Sequence, residues 1–419
     1  MANSILTPTM ITREALRVLH QKSNFLGAVN RQYDDKYAQT GAKIGSTLNV
    51  RMPSKYSVRT GATLSAQDHV ERSTPLSVSS QYGVDVSFTS VELTMNLDDF
   101  SKRIIEPAMA QLAAKIESDC MTQAYKLVNN YTNATTNAVM TYKYFQQNGA
   151  AITNQLGSLA NRNAILSPAS KVEFMDAVKG LFQDSGNIAK QYREGMMGRT
   201  GGFDVFENTL VPSHTTGSLA GSPLTNGATL GTSTTANSWV SSTAMEVDGA
   251  TSATTIKAGD IITFSGVYDI HPESKSSTGK LKTFVVQSDV TLTTAATSYT
   301  VTVKPGLIWG SGNAYQNAYV PGGTTDGLTV TRIGAASTAF GQDLFFQQDA
   351  FVFATADLED VSRYGAWGAR ESMDGVSMRI ARQYAISSDT VPCRIDILCG
   401  FAGLYPELAS RHLYTQSLV

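Results

Sequence analysis

Between residues 245 and 306 the chain lays down six short extended segments in close succession: "MEVDG", "TTIKAG", "DIITFSGV", "LKTFVVQS", "DVTLTT" and "SYTVTVKPG". Runs this short, rich in β-branched residues and separated by turn residues, predict a small antiparallel barrel or sandwich. The text on either side is of another kind. Ahead of them "SHTTGSLAGSPLTNGATLGTSTTANSW" is almost wholly Ser, Thr, Gly and Ala with a few apolar residues, the composition of a boundary, linker or loop. Behind them, from near residue 335, longer mixed segments return: "DLFFQQDAFVFATADL", "GVSMRIARQYAISSD" and "PCRIDILCGFAGLYPELA". The β module therefore reads as an insertion, entered and left on one host domain. A chain of 419 residues, 42% hydrophobic, is long enough for two or three such bodies, each with its own core. No internal repeat is apparent.

Upstream of the module the periodicity changes twice. Residues 12–26 predict a short helix with Thr12 as a possible N-cap and apolar Leu16, Val18 and Leu19; the polar, Gly-punctuated text that follows reads as an arm. Residues 47–58 and 75–88 are extended. In the second, Leu76, Val78, Tyr82, Val84, Val86 and Phe88 share one parity, which predicts a half-buried strand about 43 Å long at about 3.3 Å per residue. The two segments are expected to form a hairpin that projects beyond its own domain. Its polar connection carries Arg59, Asp68, Glu71 and Arg72, suited to a charged neighbour and equally to water. After Asp98 and Asp99, read as a capping cluster, Met109, Leu112, Ala113, Ile116, Cys120, Ala124 and Leu127 recur at helical spacing, with Pro107 in the first turn. At about 1.5–3 kcal/mol per large apolar side chain buried, that stripe rather than intrinsic propensity would hold the helix. Residues 160–212 read as a short strand, a helix and an extended return, with Gly201 and Gly202 in a turn.

The chemistry of a catalytic or metal site is not visible. Cys120, Cys393 and Cys399 fit no zinc spacing and read as buried, reduced thiols made in a reducing cytoplasm. His20, His69, His214, His271 and His412 are scattered, with no second ligand at a useful interval. There is no phosphate-binding glycine loop, no nucleophile elbow, and no basic–aromatic stripe for nucleic acid. Lys plus Arg (33) nearly balance Asp plus Glu (35), so a net charge of -2 gives no long-range field. Neither a signal peptide nor a membrane span is expected. Enzyme readings are thereby demoted, and no cofactor or metal site is expected.

The order of parts is similar to that of a tailed-phage major capsid (coat) protein with the Hong Kong 97-like fold. More narrowly, "AGDIITFSGV", "LKTFVVQSDVT" and "YTVTVKPGLI" look like the inserted I-domain of short-tailed Salmonella-type phage coat proteins. "GFDVFENTLVP" and the closing segments "DLFFQQDAFVFATADL" and "RIDILCGFAGLYPELA" resemble the same family. The resemblance implies an α+β chain in six parts: an N-arm (1–40), an E-loop hairpin (41–90), a peripheral domain with its spine helix (91–138), an axial/peripheral α/β part (139–222), an all-β I-domain barrel (223–332), and an axial return with closing strands (333–419). It implies pentamers and hexamers in an icosahedral virion shell, assembled in the bacterial host cytoplasm. The implied partners are a scaffolding protein, a portal protein at one vertex and packaged double-stranded DNA held non-specifically; no membrane and no cofactor are involved. Interface residues on the hairpin would be Arg51, Lys55, Arg59, Asp68, Glu71 and Arg72. Where the I-domain's intercapsomer loop should lie, "LGTSTTANSWVSS" holds no charge, so salt bridges through that loop are not expected. An encapsulin-like compartment shell and a tail or adhesin protein are the competing readings.

Overall fold

The structure, a computed structural model, describes residues 12–13, 15–17, 19, 23–31, 47–64, 66–89, 106–133, 140–178, 198–227, 230–233, 237–293, 298–359, 361, 365, 367–373 and 376–415. Most of the expected arm and the Asp98–Asp99 capping cluster lie outside the described residues. The chain divides into two compact units: Met1–Val50 with Thr74–Met121 and Phe351–Leu404, and Arg51–Ser73 with Thr122–Ala350 and Tyr405–Val419.

The first unit is built on the long strand Thr390–Gly403. Its first ten residues pair with Ser80–Thr89, Thr390 opposite Thr89 and Cys399 opposite Ser80. Its last six pair with Phe351–Ala356, and its other edge carries Val376–Arg382, followed by Trp367–Met373. One strand bridges three partners because "CRIDILCGFAG" is buried on both faces at its centre: Ile395 and Ile397 to Cys399 are buried, as is Asp396, which pairs with Arg379 at 2.8 Å and Arg394 at 2.7 Å. The helix α1 (Glu106–Tyr125) buries the predicted stripe of Met109, Leu112, Ala113, Ile116, Cys120 and Ala124. It also buries Glu117, whose carboxylate accepts the Phe25 N–H at the start of a single turn, Phe25–Ala28. Phe25, Phe351 and Phe401 cluster with ring centroids 5.7–6.1 Å apart. Thr12 lies within helical residues rather than ahead of them.

Alternation from residue 75 to 88 does not mean one strand. Arg72–Ser77 pairs with Thr47–Met52 in a two-stranded ribbon, the chain breaks at Val78–Ser79, and Ser80–Thr89 joins the sheet just described. This corrects the expectation of a single extended hairpin strand. Parity survives the break: Leu76 and Val78 are buried, and the half-buried Tyr82, Val84 and Val86 alternate with exposed neighbours.

In the second unit a seven-stranded mixed sheet runs in the order Tyr131–Thr132, Ala409–Thr415, Ala339–Gln347, Arg162–Leu166, Phe203–Glu207, Arg199–Thr200, with Ser213–Thr215 on the end of Ala339–Gln347. Helices α2 (Tyr142–Asn154) and α3 (Pro168–Val178) cover one face of it. Thr141 caps α2 by accepting the Tyr144 N–H. Phe145, Phe174, Phe203 and Phe345 fill the space beneath, with centroids 4.4–5.5 Å apart and mostly edge-on. On the same face Asp343 is fully buried. One carboxylate oxygen accepts the Ser167 N–H at 2.8 Å and the other has no hydrogen-bond partner. Burial raises its pKa to about 7, with Ser170 and Ser167 holding the rise in check. Its cross-strand neighbour His412 is pushed down to about 3 by burial.

Ser213–Thr215 and Ala339–Gln347 pair with each other, and between them the chain builds a β module from residues 221–332. Four of the six segments read from the sequence are strands close to the expected places, Thr243–Ala250, Ile261–Ile270, Ser277–Val286 and Tyr299–Lys304; the other two shorten to Thr254–Ile256 and Val290–Leu292 and pair with each other. Gly221–Thr225, expected as linker, is also a strand. It closes the sheet on itself: the Thr225 N–H donates to Leu328 O at 2.9 Å and the Gly327 N–H to Thr225 O at 2.8 Å, next to Val330–Arg332, which pairs back to Ile261–Ile270. Met245, Val247, Ile262, Phe264, Phe284, Val286, Val301 and Val303 fill the interior.

A buried polar knot seats this barrel on the sheet. Asp260 accepts His214 Nε2 at 2.8 Å and the Gly217 and Lys257 N–H groups. The Arg411 guanidinium, fully buried, donates to Gly259 O at 2.8 Å and to Gln342 Oε1 at 3.2 Å, and lies 5.8 Å from the Tyr125 ring. Burial lowers its pKa to about 10.

Candidate functional site: the hairpin and its seat on the barrel

The paired part of the hairpin ends at Met52 and Arg72; the described residues between them carry no ladder. Side chains hold the two arms together instead. Ser54 Oγ donates to Val70 O at 3.0 Å, and the Gln67 amide accepts the Ser57 N–H at 2.9 Å while donating to Ser57 O at 2.5 Å. Tyr56 stacks on His69 with its hydroxyl 2.8 Å from Nδ1. Beyond these the tip is open: Val58 is 96% exposed and Leu64 83%.

The six residues singled out from the sequence are distributed over this hairpin unevenly. Arg51 pairs with Glu71 at 3.4 Å, and Glu71 also meets His69 at 3.6 Å; all three are solvent-exposed, so the pairing contributes at most about 1 kcal/mol. Arg59 folds back onto Gly61 O, and Asp68 is exposed, its main-chain oxygen 3.4 Å from Asn237 Nδ2. Arg72 is buried, with its guanidinium 5.7 Å from the Tyr315 ring and 5.9 Å from the Tyr405 ring, reaching Pro53 O at 3.4 Å. Lys55 is exposed in surface area yet crowded. Burial of its ammonium and then the nearby Arg72 lower its pKa, against the pull of Glu407. Lys275, held by Ala314 O and Gln316 O at 2.9 and 3.0 Å, falls to about 8 through burial and then Lys55.

What sequence reasoning missed is the seat. Tyr315, 4% exposed, takes the Lys55 N–H at 3.1 Å and gives its own proton to Val70 O at 2.6 Å. It sits in "SGNAYQNAYV", where nothing in the local pattern separates it from Tyr319. Leu64 was signalled only by being apolar in a polar loop, and Val58, the last residue of the first extended segment, by nothing that sets it apart. Among the described residues no group of three His, Cys, Asp or Glu side chains could hold a metal, and no helix is long and apolar enough to cross a membrane.

Extended sheets, an apolar-tipped hairpin and buried polar groups engaged in holding the fold describe a subunit built to be tiled. Residues 15–414 match the family described as P22 coat protein, gene protein 5, and the chain belongs to that family. It is a tailed-phage major capsid protein with a mixed α+β fold, a structural component of the virion that assembles with copies of itself into the icosahedral shell, and not an enzyme. Comparison with curated proteins gives no match. Among solved structures the chain is similar to one from Mycobacterium phage Che8 (8% identity, 92% of this chain and 89% of that one, TM-score 0.45). It is also similar to the capsid of cyanophage P-SCSP1u (12%, 91% and 86%, 0.43) and the mature capsid of bacteriophage PhiM1 (10%, 91% and 84%, 0.40). The family match carries the assignment.

Proposed function

We propose that the chain works in this shell as the part-by-part resemblance implies: residues 1–40 as N-arm, 41–90 as E-loop, 91–138 as peripheral domain with the spine helix, 139–222 and 333–419 as axial and closing parts, and 223–332 as I-domain. Pentamers and hexamers form around a scaffolding protein in the host cytoplasm, one vertex takes a portal protein, and double-stranded DNA fills the interior without specific contacts. The near-neutral charge supports the last point, since a surface that gripped DNA would carry a large positive excess.

The observation that carries the reading is the hairpin tip. Val58 and Leu64 are exposed on a segment that satisfies itself through side chains and leaves its apolar ends without cover. A neighbouring copy that covers them gains about 1.5–3 kcal/mol per side chain, more than the exposed Arg51–Glu71 pair offers. Arg51, Lys55, Arg59, Asp68 and Glu71 then form the polar rim of that contact. Replacing both residues (Val58→Ser with Leu64→Ser) is expected to leave the subunit's unfolding midpoint in place and to reduce shell yield severely when expressed with scaffold. Normal shells in normal yield would remove the tip from the interface.

A further inference from the structure

We propose that Tyr315 is a positioning residue for assembly: a clamp by which the barrel fixes the direction of the hairpin, and so its reach toward a second copy of this chain. The inference rests on the capsid reading above and adds to it the device that aims the hairpin.

The described residues of 53–71 lack a ladder of their own, so their direction is not set by strand twist or pairing. Among the described residues, the hydrogen bonds reaching this segment from outside the hairpin come from Tyr315 and Asn237. The Tyr315 hydroxyl lies between the arms, accepting from Lys55 on one and donating to Val70 on the other, and so replaces a missing main-chain rung. A donor–acceptor group with both partners in place fixes two points at once.

The clamp stands on a rigid base. The Tyr315 N–H is held by Asn313 Oδ1 at 2.9 Å, Asn313 Nδ2 reaches Ser238 at 3.2 Å, and Ala314 N–H donates to Asn237 Oδ1 at 3.1 Å. Lys275 ties down the carbonyls of Ala314 and Gln316. Asn237 thus anchors the turn that carries Tyr315 and touches Asp68 on the hairpin. Arg72, between the Tyr315 and Tyr405 rings, marks the point where the ladder ends and the clamp takes over.

The clamp lies in a cationic neighbourhood. Burial, then Arg72 and less strongly Lys282, lower the pKa of Lys55 against the pull of Glu407, and Lys55 in turn adds to the lowering of Lys275 by burial. Lys282 is paired with Asp269 at 2.9 Å.

The test is Tyr315→Phe, which keeps the ring beside Arg72 and removes both hydroxyl bonds. On the unassembled subunit, hydrogen exchange followed by mass spectrometry is expected to quicken about tenfold in peptides spanning 53–57 and 68–72, since two modest hydrogen bonds together hold about that ratio. Peptides from strand Ile261–Ile270 are expected to exchange as before, which separates clamp loss from barrel damage. Expressed with scaffold, the variant is expected to give shells of broader size distribution by electron microscopy. Asn237→Ala, which loosens the base and removes the contact to Asp68 without touching the phenol, is expected to move both readouts the same way by less. Unchanged exchange at 53–57 and 68–72 would overturn the clamp. Faster exchange with shells of normal geometry would overturn its role in aiming the hairpin. Failure of the unmodified chain to form shells at all would instead sink the capsid reading, leaving the exchange result on the free subunit intact.

Discussion

Replacing Asp343 by Asn should change how the subunit's stability depends on pH, and the size of the change follows from one buried carboxyl. In the unfolded chain this group titrates near 3.8; in the folded chain burial raises it to about 7. An acid whose folded pKa is raised contributes stability that is fully present below 3.8 and is lost as pH rises through 7. At about 1.4 kcal/mol per pH unit, that interval is worth about 4 kcal/mol. Neighbouring His412 acts in the opposite sense. Lowered from 6.5 to about 3, it contributes stability present above 6.5 and lost as pH falls through 3. Between pH 4 and 6.5 the two slopes oppose, so the native protein should be nearly flat there as far as this pair decides. Asp343→Asn leaves the histidine slope unopposed. Urea unfolding of the unassembled subunit from pH 4 to pH 8 should therefore show the variant gaining about 4 kcal/mol relative to the native chain across that range, all other groups cancelling in the difference. Two profiles that stay parallel within about 1 kcal/mol would mean that Asp343 titrates normally and that its unpartnered oxygen is reached by water.

Two further outcomes follow from burial alone. Phe345→Ala opens a cavity where four phenyl rings meet and should destabilise the subunit by about 3–5 kcal/mol, read as a shift in urea midpoint at constant slope. Cys120, Cys393 and Cys399 are buried, and burial raises the latter two to about 11 and about 12 and Cys120 further still. At pH 8 a thiol reagent should thus label none of them in the folded subunit and all three in urea; a thiol reacting at the free rate before unfolding would contradict this.

How far the fold could be read in advance depended on whether the relevant interaction was local. The stripe of α1 and the barrel strands declare themselves by period, because each buries one face along its own length, as Met245 and Val247 do against Glu246 and Asp248. Gly221–Thr225 was hidden because "GSPLT" is weak as a strand and is drafted by pairing with Val247 and Asp248 and by the closing bonds to Gly327 and Leu328. The hairpin's second strand was misread for a different reason. A side-chain period of two is indifferent to which partner a strand takes, so residues 72–77 and 80–89 look like one run while serving two sheets. The crossing is made possible at Gly400, where a Cβ would stand 2.3 Å from Ser77 O: only a residue without one lets the chain pass so close as it leaves the ribbon. Tyr315 was illegible because its partners lie about 250 residues away in sequence.

That separation bears on why a shell subunit would carry a barrel beside its hairpin. A hairpin long enough to reach a neighbour pays for its length in entropy unless something outside it supplies order, and extending the ladder would fix its direction permanently. Holding residues 53–71 by side-chain bridges, with Tyr315 and Asn237 of the barrel as external support, gives a segment that is ordered yet separable from its seat for the loss of three hydrogen bonds. The knot of Asp260, His214, Arg411 and Gln342 serves the opposite end of the barrel, where no such freedom is built in: its partners are buried and charge-assisted. The module is thus fastened firmly to the sheet that carries it and lightly to the hairpin it steers, the order of strengths required if a subunit is to keep its fold while its reach adapts to a neighbour.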